Sequence, residues 1–360
     1  MSREQYLVCT ADVGLLTNQR IALEIAAGIA HLTKRSLKVR KRRLGGAPES
    51  IAGTADTDLT IFDVLEVPPW ISEVETDWEP HDGAAAQLDW TDLALAVFSD
   101  GSLDPALLDS FAMGRDVLTG LGDLGSERVV EFTGRSLAFP SIFFAVGGTT
   151  KFTLDDALRQ IRPREEFSRY ADDVAGWLGR YNASHLRRTD LLKGLQAYRQ
   201  VTGDEVALNL RTVFERDDLL VVCSDAKGDD PFFDPLRREF REIVFLNELV
   251  LGIGRWRERF DALPVHEENA LGLITQEVAA RAAGFVGTIG STFTGAIHRE
   301  RVRRDPDSPF WFSADYTPPG PLFENCEYVE ITEGPYSWNR LAYGMDAATL
   351  AWFRAWPEDA

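Results

Sequence analysis

Cysteine is scarce and scattered. Cys9, Cys223 and Cys326 share no paired spacing, which argues against a disulfide framework and against a cysteine zinc site. Long apolar runs are missing too, and no stretch approaches the roughly 20 residues needed to cross a bilayer. Residues 1–6 are polar and carry no signal core, so a cytoplasmic protein without a membrane span is expected. Basic charge is in deficit, with 38 Lys and Arg against 57 Asp and Glu for a net charge of −19. That excludes an extended nucleic-acid footprint, and arginines that hold phosphate must form a local island. No His, Cys or carboxylate set has metal-ligand spacing, so no metal is expected.

What is present is a globular pattern, 44% hydrophobic and 26% charged over 360 residues. That length favours two cores. The division reads as 1–163 and 164–345, with a closing helix in 346–360, over about 347–356. Strands are expected at 6–10, 37–40, 93–98, 128–132, up to Leu186, 219–223 and 285–287. Helices are expected at 18–32, 104–118, 164–181, 190–199 and 269–283, and from about Phe293. Residues 43–57 and 67–82 read as irregular surface. Strands alternating with helices imply an α/β fold with parallel sheets, whose ligands lie beyond the C-terminal strand ends.

Three polar motifs fall at such ends. His185-Leu186-Arg187-Arg188-Thr189-Asp190 puts two guanidiniums after an apolar strand; a diphosphate uses both forks, and an ion-pair hub is the alternative. Ser291-Thr292-Phe293-Thr294 opens a helix, either as a plain N-cap or as a phosphate site built from backbone N–H groups. Gly14-Leu15-Leu16-Thr17-Asn18-Gln19-Arg20 joins the first strand to the first helix, where a glycine turn permits close backbone approach. Ser224-Asp225 ends a further strand, as a helix cap or as part of the site. Glu24, one turn into the first helix, reads as a surface carboxylate. Gly120-Leu121-Gly122-Asp123-Leu124-Gly125 has dinucleotide-binding spacing but follows a helix, the reverse of what that motif requires. The sequon Asn182-Ala183-Ser184 sits on a buried strand, and the acidic pairs at 155–156 and 172–173 read as solvated faces.

In this order the motifs resemble those of GDP-fucose-dependent fucosyltransferases, the group of protein O-fucosyltransferases and α1,6-fucosyltransferases. The resemblance covers residues 6–301, loosely between 41 and 161. It implies a GT-B fold, two Rossmann-like domains with a cleft between them. It also implies a GDP-fucose donor, no cofactor, and inverting, metal-independent transfer to a glycan, peptide or small-molecule hydroxyl. Arg187 would hold the β-phosphate with Arg188 supporting it, and His185 would lie by the guanine. Ser291, Thr292 and Phe293 would line the diphosphate and base pocket, with Asp225 on the donor side. Asn18 and Gly14 would approach the fucose. The family has an aspartate, read as pairing with guanine, at about the place of Ala283; this departure leaves another nucleotide sugar open, as it does a non-catalytic glycan-binding protein. Glu24 and Asp12 are the candidate bases.

Overall fold

The computed structural model describes residues 5–10, 16–41, 59–79, 86–89, 127–133, 159–188, 202–252, 254–265, 267–288, 292–305, 310–313, 328–330 and 340–342. The chain divides into two units, one within Met1–Arg164 and one within Glu165–Asp346, and each is built on a five-stranded parallel sheet.

The first unit contains β1 (Tyr6–Cys9), α1 (Leu16–Leu32), β2 (Ser36–Arg40), β3 (Leu65–Glu66), β4 (Ile71–Val74), β5 (Ala86–Asp89), β6 (Val129–Thr133) and β7 (Arg162–Pro163). Its sheet runs β4-β2-β1-β6-β5, and β3 pairs antiparallel with β7 outside it. Leu7, Val8 and Cys9 of the central strand are all buried, the continuous apolar run of a strand covered on both faces. β4 corrects the reading of 67–82 as wholly irregular. Only Ile71 of its four residues is buried, so this edge strand lacks the apolar run that marks a central one.

Helix α1 packs on β1 and β2, and burial runs round it, with Ile21, Leu23 and Ala26 all buried. Glu24 is fully buried, not a surface carboxylate, because it lies one turn from Arg20 and forms a 3.0 Å ion pair with it. Each charge makes the other's desolvation tolerable, and removing one partner of such a pair costs about 3–5 kcal/mol.

The second unit begins with α2 (Glu165–Leu178), which stops short of the expected Tyr181 because Gly179 takes φ +73 and its N–H closes the last turn on Ala175. There follow β8 (Asn182–Leu186), α3 (Gly203–Val213), β9 (Leu219–Ser224), α4 (Asp234–Glu239), β10 (Glu242–Phe245), α5 (Leu246–Leu251), α6 (Arg255–Asp261), α7 (Glu267–Ala280), β11 (Phe285–Thr288), α8 (Thr292–Arg304) and β12 (Phe310–Ser313). The sheet order is β10-β9-β8-β11-β12, and β13 (Tyr328–Glu330) pairs antiparallel with β14 (Arg340–Ala342). A capping box opens α3, with Thr202 Oγ1 accepting from the Glu205 N–H while Glu205 accepts from the Thr202 N–H. The closing turns of α7 are completed from outside. Tyr181 Oη donates to the Val278 carbonyl (2.7 Å), and Arg301 Nη1 donates to those of Ala279 (3.2 Å) and Ala282 (2.6 Å). The expected elements at 93–98, 104–118, 190–199 and 347–356, the loop at 43–57, the Gly120–Gly125 run and the pair at 155–156 lie outside the described residues.

Candidate functional site

From β8 the chain steps outward through β9 and β10, then returns to place β11 on the opposite side of β8. Such a reversal opens a crevice beyond the C-terminal ends of the two strands that flank it. His185 and Gly287 face each other across that pair, each near the end of its strand.

Gly287 has a steric role here. A Cβ on it would lie 2.2 Å from Cγ2 of Thr294 and 2.9 Å from Cε1 of Phe285. Glycine therefore lets the first turn of α8 settle directly on β11. Thr294 thereby comes within 2.8 Å of His185 Nδ1 and hydrogen-bonds it. Phe293, one residue earlier, lays its ring against the imidazole, with centroids 4.8 Å apart and planes inclined by 32°. The outcome is a tilted, stacked aromatic pair, with His185 and Thr294 buried and Phe293 partly exposed. Phe293 Cε2 would lie 3.8 Å from a Cβ at Gly272 of α7.

Arg187 and Arg188 leave β8 directly after the buried Leu186, both half-buried. The neighbouring strand end holds their backbone. Ser224 Oγ donates to the Leu186 carbonyl (2.7 Å) and accepts from the Ala226 N–H (3.1 Å). The Arg188 N–H donates to Asp225 Oδ1 at 2.6 Å. Asp225 thus grips the main chain of the arginine segment. The Arg188 guanidinium lies over the Phe232 ring, 3.7 Å from its centroid. Cys223, paired with His185 on the adjacent strand, is no nucleophile: burial pushes its thiol up to about 12 and keeps it protonated.

Among the described residues no group of three or more His, Cys, Asp or Glu is placed to hold a metal ion. No helix among them is long and apolar enough to cross a membrane. Gly14, Asp12 and Ser291 lie outside the described residues, and Asn18 and Thr292 are described in their helices but not in their side chains. Within the sequon, Asn182 is buried and its Nδ2 donates to Asp218 Oδ2 (2.8 Å). Asp172 and Asp173 are exposed and pair with Arg281 and Arg259.

Solved fucosyltransferases are similar in fold. NodZ alpha-1,6-fucosyltransferase soaked with GDP-fucose matches at 15% identity over 86% of this chain and 94% of its own, with a TM-score of 0.48. POFUT1 in complex with GDP matches at 15% over 87% and 99%, with a TM-score of 0.49. Fucosyltransferase NodZ from Bradyrhizobium matches at 14% over 82% and 93%, with a TM-score of 0.46. No protein-family model matches the chain, and no curated protein does.

Ala283 lies just before β11, the place expected from the sequence. Its N–H donates to the Tyr181 carbonyl (2.8 Å), four residues before Gly287. Gly287 opens the run of glycine and hydroxyl residues that stands out in the sequence before α8, whereas sequence reasoning passed over Phe232. A glycine inside a strand pattern is a legible sign of close approach, whereas Phe232 meets Arg188 across 44 residues with no local signal.

Proposed function

We propose that the chain is an inverting glycosyltransferase that moves fucose from GDP-fucose to an acceptor hydroxyl without a divalent ion. One observation carries the reading. At the β8–β11 reversal His185 of β8 stacks with Phe293 of α8, and two arginines follow directly on the end of β8. An aromatic surface beside adjacent guanidiniums suits a nucleoside diphosphate, base on the rings and phosphates on the forks. Motif order resembling the fucosyltransferases selects GDP-fucose among such donors.

In this reading Arg187 holds the β-phosphate, Arg188 supports it, and the N–H groups around Ser291 and Thr292 meet the diphosphate at the start of α8. Departure of GDP develops negative charge, which a fixed guanidinium and N–H groups stabilise in the transition state. They supply the neutralisation for which other transferases recruit a cation. Asn18 and Gly14 are assigned to the fucose side by the motif resemblance. Asp12 is carried forward as the candidate base; the Glu24 carboxylate is committed to Arg20 and is not.

Thermal melts with GDP, UDP, ADP and TDP at equal concentration test the donor. GDP is expected to stabilise most, by about 2.7 kcal/mol at a hundred times its dissociation constant. GDP-fucose hydrolysis or transfer is expected to survive EDTA. A larger shift with UDP or TDP replaces fucose with another sugar nucleotide. Binding without turnover makes the chain a donor-binding protein, and turnover lost to EDTA but restored by magnesium or manganese removes the metal-independent mechanism.

A further inference from the structure

We propose that Phe232 is the positioning residue of Arg188, its ring fixing the plane of the guanidinium that meets the donor diphosphate. The proposal rests on the reading of this site as one for a nucleoside diphosphate sugar. The Arg188 Cζ lies 3.7 Å from the Phe232 centroid, against 4.4 Å for Arg255 over Trp256. At 3.7 Å a planar cation has room only to lie face-on, so its N–H groups point outward in a plane set by the ring.

The ring is itself anchored. The Phe232 N–H donates to Asp230 Oδ1 (2.9 Å), and its ring meets that of fully buried Phe233 edge-on at 5.3 Å. Gly203, at the start of α3, admits the Phe232 carbonyl to a place where a Cβ would stand 2.0 Å away. Asp225, on the same β9–α4 connection, grips the Arg188 main chain. That connection therefore holds Arg188 at two points, backbone and side chain. A guanidinium ordered before the ligand arrives loses less freedom on binding, which strengthens binding with no new ligand contact.

The test is a cycle of GDP dissociation constants measured by calorimetry, with a melt of every variant. Phe232→Leu keeps apolar bulk and loses the π face; it is expected to weaken GDP binding about tenfold, within the range of a desolvated cation–π contact. Phe232→Trp keeps the face and is expected to stay within about twofold of the parent. In an Arg188→Ala background Phe232→Leu is expected to add nothing, because its effect runs through Arg188. If Phe232→Leu does not fold, Phe232→Met runs the same cycle. Unchanged GDP affinity in a folded variant overturns the proposal while leaving the site intact, as does an equal loss in the Arg188→Ala background. Failure of the parent to bind GDP overturns both this and the donor reading.

Discussion

Arg187 is the residue on which the proposed chemistry rests most directly. It follows the last residue of β8 and is half-buried. Arg187→Ala is expected to melt like the parent and to lose turnover by roughly 10²–10³, the effect of removing one preorganised stabiliser of developing charge. Arg187→Lys is expected to recover only part, since a point charge does not reproduce the bidentate fork. Near-parental turnover in a normally melting alanine variant would sink the assignment; failure to fold would make Arg187 an ion-pair hub. At this scale the sequence was legible where chemistry is local. Two adjacent guanidiniums after a buried strand stand out in a chain of net charge −19. Glu24 was misread because its burial depends on Arg20 turning into the core beside it, which composition does not reveal.

At the scale of elements, the close seating of α8 on β11 organises the aromatic pair. Gly287→Ala puts a methyl group where Thr294 stands. Either α8 shifts outward or the strand does, and overpacking of this kind costs about 1–3 kcal/mol. We expect a lowered melting temperature and, because Thr294 and Phe293 move together, a weaker GDP affinity than the stability loss alone explains. Adding Thr294→Ser, which removes Cγ2 and keeps the hydroxyl, is expected to restore part of both. Melts and calorimetry of the single and double variants decide it, and an unaffected affinity in Gly287→Ala would detach the helix seating from the site. Strands β1 and β9 were readable because strands buried on both faces carry a nearly continuous apolar run. By contrast, β8 is buried throughout although three of its five residues, Asn182, Ser184 and His185, are polar. β4 and β10 were not readable, being edge strands with most residues half-exposed. The capping box of α3 was present in the sequence as Thr202 and Glu205 and could have marked that helix.

For the whole molecule, buried titratable groups set an alkaline limit. Burial raises the Cys223 thiol from 9.0 to about 12 and the Tyr170 phenol from 10.0 to about 12; Tyr181 is pushed the same way. Above the unfolded value of each, the folded chain keeps a proton that the unfolded chain releases, so stability falls as pH rises towards 12. Arg301 works in the opposite sense: burial pulls it from 12.5 down to about 10, so its contribution to stability rises above that pH. Between about pH 9 and 10, of these four groups, Cys223 acts alone. Melting temperature is expected to drop through this window, a full proton being worth about 1.4 kcal/mol per pH unit. Cys223→Ala should flatten the drop, and parallel pH profiles for parent and variant would refute it.

The placement of two cysteines also equips the molecule with its own reporters. Cys9 lies in the first unit's central strand and Cys223 in a strand of the second unit's sheet, each only 1% exposed. An alkylating reagent added in pulses reaches either sulfur only when its strand opens. Mass spectrometry of the two peptides then reads the opening of each sheet as a separate clock, without a tag, a dye or an engineered residue.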